Sequence, residues 1–167
     1  MSLFRRKLML NQLKENSLPD GYSSYDYLIS GGGAYIDTGI KLSNKDNIYL
    51  SLKSKQTSKG FIVGVEESDK SFEIRFDNYW FVIRINGESV YRQYGSIRDT
   101  INIYISNGKI LIDDSEKAEG LTIPEFNNNL YLFANNKNGE LEVGSGNTIY
   151  IKRLRVTGTN NLDMVPC

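Results

Sequence analysis

Short alternating runs joined by Asn-Gly pairs are the feature that most constrains the fold of this 167-residue chain. Apolar residues alternate with polar or aromatic ones over 101–105, which is the period of a half-buried strand. Asn86-Gly87 and Asn107-Gly108 stand between such runs, and Asn-Gly is preferred in two-residue hairpin turns. The pattern therefore predicts antiparallel hairpins.

A further hairpin is predicted where the strand-like runs Phe72–Phe76 and Tyr79–Ile85 are separated only by Asp77 and Asn78. Alternation along the second run places Tyr79 on the core side. The residues of opposite parity in that run are then predicted to face outward.

The last long strand is predicted over 148–157, and its apolar residues switch part-way from odd to even positions. Its apolar residues fall on odd positions up to 151 and on even positions from 154. Such a switch requires one extra residue, so a β-bulge is predicted at Lys152-Arg153. Apart from residues 1–18, the only helical feature predicted is a short turn around Ile123–Phe126.

Composition and charge exclude several classes of function. The chain has no histidine, which removes Ser-His-Asp and Cys-His catalytic systems and histidine-containing zinc sites. The 20 Lys and Arg residues balance the 20 Asp and Glu residues, so no general attraction to nucleic acid or to a membrane surface is expected. No apolar run approaches the ~20 residues of a spanning helix. We therefore predict no nucleic-acid partner, no membrane attachment and no cofactor.

Residues 1–20 differ in composition from the rest and are predicted to form an N-terminal anchoring arm. They combine basic and apolar side chains with good helix formers, which is compatible with a helix. A turn at Pro19-Asp20-Gly21 ends the arm, and residues 21–167 are predicted to form one β-sandwich domain with a single core. The residues predicted to anchor the arm to a partner are Leu3, Phe4, Arg5, Arg6, Lys7, Leu8 and Leu10.

One same-face triplet, Glu73, Arg75 and Asp77, bears on whether the protein is an enzyme. Glycosidases built on β-sandwiches carry carboxylates two residues apart on one strand face, as nucleophile and acid. Arg75 stands where a carboxylate would be needed, so the triplet predicts a solvated ladder of ion pairs instead. We therefore predict no enzymatic activity and no catalytic residues.

An acidic loop over 113–119 could donate oxygen ligands to calcium. Its carboxylates are interrupted by Lys117, and their spacing matches no EF-hand. A solvated loop is the favoured interpretation, and no metal site is predicted.

Aromatic residues interleaved with arginine predict a binding face. Aromatic rings stack on the apolar surfaces of sugars, while arginine bonds their hydroxyls. The alternative is that a loop or a neighbouring subunit covers these rings, which leaves a homo-oligomer open. The residues predicted for this glycan or partner face are Arg75, Trp80, Arg84, Tyr91, Arg92 and Tyr94.

Several segments resemble a family of small tailed-phage and prophage proteins. Leu18–Tyr22 follows the Leu-Pro-x-Gly-Tyr order of that family, and Tyr27–Ser30 with Tyr35–Gly39 follows its Tyr-Ile-x-Ser and Tyr-Ile-Asp-Thr-Gly order. The other similar segments are Asn129–Ala134, Ile149–Val156 and Asp163–Cys167.

The resemblance implies a concanavalin A-like, laminin-G-type jelly roll, and the many short strands independently predict an all-β antiparallel β-sandwich. It also implies a non-enzymatic structural or decoration protein of a phage virion, as a capsid auxiliary, head-fibre or tail/baseplate component. Such a protein would lie on the virion surface and contact other virion proteins through its arm. The alternative is a glycan-binding adhesion module for host-surface carbohydrate, on a phage or a bacterial surface.

Overall fold

The computed structural model describes residues 28–29, 35–54, 59–95, 97, 99–143 and 148–165, and these confirm the predicted all-β class. No helix occurs among them, so none is long and apolar enough to cross a bilayer. The helical turn predicted around Ile123–Phe126 is wrong, because Phe126 N donates instead to Leu42 O across the chain. The arm predicted over 1–20 lies outside the described residues.

Fifteen strands are found in the described part of the chain. In chain order they are β1 (Leu28–Ile29), β2 (Ile36–Asp37), β3 (Asn47–Ser54), β4 (Gly60–Glu67), β5 (Lys70–Asp77), β6 (Trp80–Ile85), β7 (Glu88–Tyr94), β8 (Ile101–Ser106), β9 (Lys109–Ile112), β10 (Ser115–Ala118), β11 (Tyr131–Leu132), β12 (Ala134–Lys137), β13 (Glu140–Val143), β14 (Ile149–Thr157) and β15 (Asn161–Met164).

These strands form two sheets. The seven-stranded sheet has the order β1-β14-β3-β8-β9-β10, with β15 also paired to β14. The eight-stranded sheet has the order β13-β12-β4-β5-β6-β7, and β11 joins it by pairing with β4 and β2. Within the described ranges, every pair except the parallel β4–β12 pair is antiparallel. The predicted antiparallel β-sandwich is confirmed, while its jelly-roll type stays a prediction.

Alternation along the strands explains why the two sheets face each other. Phe72, Ile74 and Phe76 of β5 are completely buried, as are Leu50 and Leu52 of β3 in the other sheet. All five belong to one hydrophobic cluster between the sheets. Burying each such side chain contributes about 1.5–3 kcal/mol, so the inner faces hold the sandwich together. Residues of opposite parity are left on the outer faces.

The two Asn-Gly turns predicted from the sequence are confirmed. Asn86 and Gly87 have φ values of 53° and 77°, and Asn107 and Gly108 have 51° and 73°. Positive φ at both central residues is what a type I′ hairpin turn requires, and it twists the strands correctly.

The hairpin between β5 and β6 turns one residue later than predicted. Asp77 still pairs with Trp80, and the turn consists of Asn78 and Tyr79, with φ values of 46° and 73°. The prediction that Tyr79 faces the core is therefore wrong, because Tyr79 belongs to the turn and is 58% exposed.

The predicted β-bulge in the last long strand is confirmed. Strand β14 pairs with β3 in one register up to Ile151 and in a shifted register from Arg153. The extra residue returns the apolar side chains to the core side, so both halves of β14 contribute buried residues.

Candidate functional site

The outer face of the eight-stranded sheet, on the side away from the core, holds most of the residues predicted for binding. Arg75 of β5 alternates with buried core residues, as do Trp80 and Arg84 of β6, so all three lie on this outer face. Arg92 and Tyr94 of β7 join them, since they pair with residues of that face. The structure thus brings together five of the six predicted residues.

Tyr91, the sixth predicted residue, does not belong to the outer face. It directly precedes Arg92 in β7, and adjacent strand residues point to opposite faces. Its ring meets the core residue Phe81 edge-on, with 6.3 Å between the ring centroids. The prediction for Tyr91 is therefore wrong, and its half-buried ring extends the core at the sheet edge.

Arg75 links two carboxylates along β5. Its Nη1 lies 3.4 Å from Glu73 Oε2, and its Nη2 donates to Asp77 Oδ2 at 3.1 Å. Arg84 Nη2 lies 3.6 Å from the same Asp77 oxygen. The predicted ion-pair ladder is confirmed, but its solvated character is wrong at Glu73, which is 5% exposed. Arg75 and Arg84, the latter being the cross-strand partner of Glu73 on β6, lie next to this carboxylate on the outer face.

An open depression of about 300 Å³ lies over this ladder. Its lining combines the β5 and β6 residues Glu73, Arg75 and Arg84 with side chains from β4, β12 and β13. Since several strands contribute, the depression depends on the folded sheet and not on one segment. The charged residues lining it are Glu66, Asp69, Glu73, Glu142, Lys70, Arg75, Arg84 and Lys137.

Three buried polar atoms of this ladder have no hydrogen-bond partner. They are Glu73 Oε2, Arg75 Nε and Arg84 Nε. Leaving such a group unpaired typically costs about 1–3 kcal/mol, and native proteins pair nearly all of them. Burial raises the pKa of Glu73, while the neighbouring Arg75 and Arg84 lower it and Glu66 and Glu142 raise it. Glu73 Oε2 still lies 3.4 Å from Arg75 Nη1, and all three atoms are covered by protein, so a ligand in the depression would instead meet partly exposed side-chain ends such as that of Arg84.

Asn135 of β12 holds the acidic side of the depression in place. Its Nδ2 donates to Glu66 Oε2 and to Glu142 Oε2, each at 3.2 Å. Gly64 of β4 makes room for it, because a Cβ at Gly64 would lie 2.8 Å from Asn135 Oδ1. Lys137 Nζ approaches Glu66 Oε1 at 3.3 Å. These contacts orient two carboxylates toward the opening.

The turn end of the same outer face is aromatic. The guanidinium of Arg92 lies 4.6 Å from the centroid of the Trp80 ring, and Tyr94 meets that ring edge-on at 5.4 Å. The Tyr79 ring lies 6.5 Å from that of Tyr94. Tyr94 is 69% exposed, whereas Trp80 is half-buried. The prediction that Trp80 faces outward is confirmed.

Sequence reasoning missed the contribution of β4, β12 and β13 to this face. Asn135 and Glu66 come together through the parallel β4–β12 pair, which joins segments about 70 residues apart. One signal was available in the sequence, because Ala134–Lys137 carries two asparagines, and asparagine is depleted in strands.

The acidic segment over 113–119 is engaged in internal contacts, and the prediction that it is a loop is wrong over 115–118, which form strand β10 paired with β9. Asp113 accepts hydrogen bonds from the backbone and side-chain nitrogens of Asn102, at 2.9 and 3.2 Å. Lys109 Nζ lies 2.7 Å from Glu116 and 3.9 Å from Glu119. In the part of the chain that the structure describes, no cluster of three or more Asp, Glu, Cys or His residues is arranged to hold a metal ion.

Comparison of the sequence with protein-family models gives no match, and comparison with curated proteins gives none either. Among solved structures, the chain is similar to the binding domain of botulinum neurotoxin serotype G, with a TM-score of 0.46 and 14% identity over 86% of this chain and 45% of that chain. A receptor-binding domain of botulinum neurotoxin type G gives a TM-score of 0.46 and 13% identity over 81% of this chain and 43% of that chain. This chain thus spans less than half the length of either structure.

Proposed function

We propose that this protein is a non-enzymatic binding module that holds a carbohydrate on the outer face of its eight-stranded sheet. The observation that carries the proposal is the open depression of about 300 Å³, whose lining combines carboxylates with the partly exposed guanidinium of Arg84. A sugar hydroxyl can donate to a carboxylate and accept from a guanidinium. A ligand rich in hydroxyls therefore suits this lining better than an apolar one.

The charges around the depression favour a neutral sugar. Its lining contains four acidic and four basic residues, which are interleaved. A strongly anionic or cationic ligand would meet charges of its own sign, and this repulsion would weaken binding. The volume of about 300 Å³ is at the lower end of the range for ligand sites, which suits a single sugar unit.

The contacts of the two β5 carboxylates support binding without hydrolysis. A retaining or inverting glycosidase needs one carboxyl group as acid and a second as nucleophile or base. Glu73 and Asp77 both lie against Arg75, and Asp77 also lies against Arg84. Because each carboxylate is already engaged by at least one arginine, we propose that neither acts on a substrate.

The sequence resemblance supports placing this module in a tailed-phage particle. In this proposal, the protein is a structural or decoration component of the capsid, head fibre, tail or baseplate. It lies on the virion surface and contacts other virion proteins through residues 1–20. Its outer face then meets carbohydrate of the host surface, and the alternative is an adhesion module on a bacterial surface with the same binding face.

Glycan-array binding of the labelled full-length protein tests the carbohydrate proposal. We expect binding to neutral oligosaccharides, and about tenfold weaker binding for Arg84→Met, since this variant keeps the apolar stem but removes the donors of a charge-assisted contact. Lys109→Met is the matched control, because Lys109 is an exposed cation on the other sheet. An array without hits, or a folded Arg84→Met protein that binds like the wild type, would contradict the proposal.

A further inference from the structure

The turn between β5 and β6 departs from a pattern that three other hairpins of this protein follow. In three turns an asparagine with positive φ is followed by a glycine with positive φ. These turns are Asn86-Gly87, Asn107-Gly108 and Asn138-Gly139. Asn78 is followed instead by Tyr79, with a φ of 73°. A tyrosine thus occupies the position that glycine takes elsewhere.

This placement of Tyr79 is unfavourable for the backbone. The left-handed region brings Cβ close to the carbonyl oxygen, and only glycine and, less often, Asn or Asp adopt it readily. The positive φ values of the turn Asp113-Asp114 are therefore within what aspartate adopts. Phe133 has a similar φ of 63°, but its ring is buried in the core, and that burial offsets the strain.

Burial offers Tyr79 no such compensation. Its side chain is 58% exposed, and the ring nearest to it is Tyr94, which is 69% exposed. Residues held in strained backbone conformations cluster at active and ligand-binding sites, where the strain is part of the mechanism. A strained turn that holds an aromatic ring out into solvent therefore indicates a binding role.

We propose that Tyr79 and Tyr94 form a second subsite for the glycan, a stacking platform at the β5–β6 turn, so that the ligand is an oligosaccharide. This inference rests on the proposed function. Exposed aromatic rings stack on the apolar faces of neutral sugar rings. The two tyrosine planes are inclined by 31°, and Trp80 supports Tyr94 from the side with an interplanar angle of 74°.

The distance between the subsites sets the length of the ligand. Arg84 and Trp80 are four residues apart on β6, which corresponds to about 13 Å along the strand. This is longer than one sugar ring. Asp77 lies between the two subsites, since it pairs in register with Trp80 and lies 3.6 Å from Arg84. Polar side chains therefore continue from the depression to the platform.

The variant Tyr79→Gly distinguishes a role of Tyr79 in ligand binding from a role in stabilising the fold. The variant turn becomes Asn-Gly, so we expect the Tm to rise by a few degrees while the affinity for the oligosaccharide falls at least tenfold. The probes are neutral hexasaccharides of glucose, galactose and N-acetylglucosamine, with the corresponding monosaccharides. Binding is followed by the fluorescence of Trp80, the single tryptophan of the chain, which contacts Tyr94.

Further variants distinguish failure of the tyrosine platform from failure of the proposed carbohydrate binding. Tyr94→Ser, which leaves the turn unchanged, should weaken hexasaccharide binding without raising the Tm, and neither tyrosine variant should alter monosaccharide binding. Unchanged hexasaccharide affinity in Tyr79→Gly, together with weakened binding in Arg84→Met, would overturn the platform and leave the proposed function standing. A lower Tm of Tyr79→Gly, or loss of self-association with unchanged glycan binding, would also overturn the platform. Binding of no hexasaccharide by the wild type would overturn both.

Discussion

Burial decides the behaviour of Glu73 more than its two arginine neighbours do. The side chain is buried on the outer face of the sheet, so it is largely removed from water. Loss of hydration raises its pKa, and the attraction of Arg75 and Arg84 does not reverse this direction. The charged form of Glu73 is therefore disfavoured by folding. A site with such a carboxylate has a buried hydrogen-bond acceptor, but the folded protein is less stable because of it.

Glu73→Gln is expected to stabilise the folded protein near pH 7. Because the pKa of Glu73 is raised above 4.5 in the folded state, its protonation stabilises the fold below that pH, and this contribution is lost as the pH rises through the folded pKa. The advantage of the glutamine variant over the wild type should therefore grow with pH and vanish in acid. Urea unfolding of both proteins at several pH values measures this difference.

Glu140→Gln provides the control for this measurement, since Glu140 is an exposed carboxylate on β13 of the same sheet. It should show no comparable pH-dependent gain. A Glu73→Gln protein that is less stable than the wild type at pH 7 would show that the arginine contacts dominate and that the account of burial is wrong.

Some properties of single residues could be predicted from the sequence, and others could not. Alternation along β6 was sufficient to place Trp80 on the outer face. The burial of Glu73 could not be predicted, because it depends on residues of neighbouring strands, such as Gly64 and Arg84, which pair with it only in the folded sheet. Alternation predicts that Tyr79 faces the core, and nothing in the sequence indicates the left-handed backbone that places it in the turn instead.

At the scale of elements, the hairpins could be predicted where the two turn residues themselves favour the turn conformation. Asn86-Gly87 and Asn107-Gly108 carry their own conformational preference, so the strands on either side were placed correctly. The β14 bulge was also predictable, since it changes the parity of the apolar residues within one strand. The parallel β4–β12 pair was not predicted, because it joins distant segments without a local signal.

The contacts of the turn glycines differ, and Gly108→Ala should destabilise the protein more than Gly139→Ala. Both glycines follow an asparagine and have positive φ, so alanine costs about 1–2 kcal/mol at either site. A Cβ at Gly108 would also lie 2.9 Å from Leu121 O, whereas nothing lies within 4 Å at Gly139. We expect about 1–3 kcal/mol of additional loss at Gly108 from this overpacking.

Denaturant unfolding of the two alanine variants measures that difference directly, since backbone strain is common to both. Leu121 is held in place because its N donates to Gly108 O at 2.9 Å. Equal free energies of unfolding for the two variants would mean that the segment around Leu121 moves away without cost, and that this contact does not constrain the β8–β9 hairpin.

At the scale of the whole molecule, one core joins both sheets. The core cluster of the described residues runs from Ile36 to Met164, with Leu28 packed against it. The number of short strands and the period of two were sufficient to predict this sandwich class. The order of strands in each sheet was not predictable, because it depends on pairings between segments far apart in sequence.

If the protein is a virion component, as proposed, deletion of residues 1–20 is expected to leave the sandwich folded and to abolish incorporation into phage particles. The composition of the chain changes at the end of this segment, which predicts that the sandwich folds without it, so the Tm should change by less than roughly 2–4 °C, the shift that corresponds to about 1 kcal/mol in a domain of this size. Thermal unfolding and co-sedimentation with particles assembled in the absence of the wild-type chain measure the two effects.

A full-length variant in which Arg5, Arg6 and Lys7 are replaced by alanine tests whether anchoring needs the positive charge of the arm or only the arm itself. If basic side chains carry the anchoring, this variant should fold normally and incorporate as poorly as the deletion. Glycan binding should be retained in both, because the depression and the platform are built from β4–β7, β12 and β13. A truncated chain that fails to fold would show that the arm belongs to the sandwich, and a truncated chain that still incorporates would place the anchor on the sandwich itself.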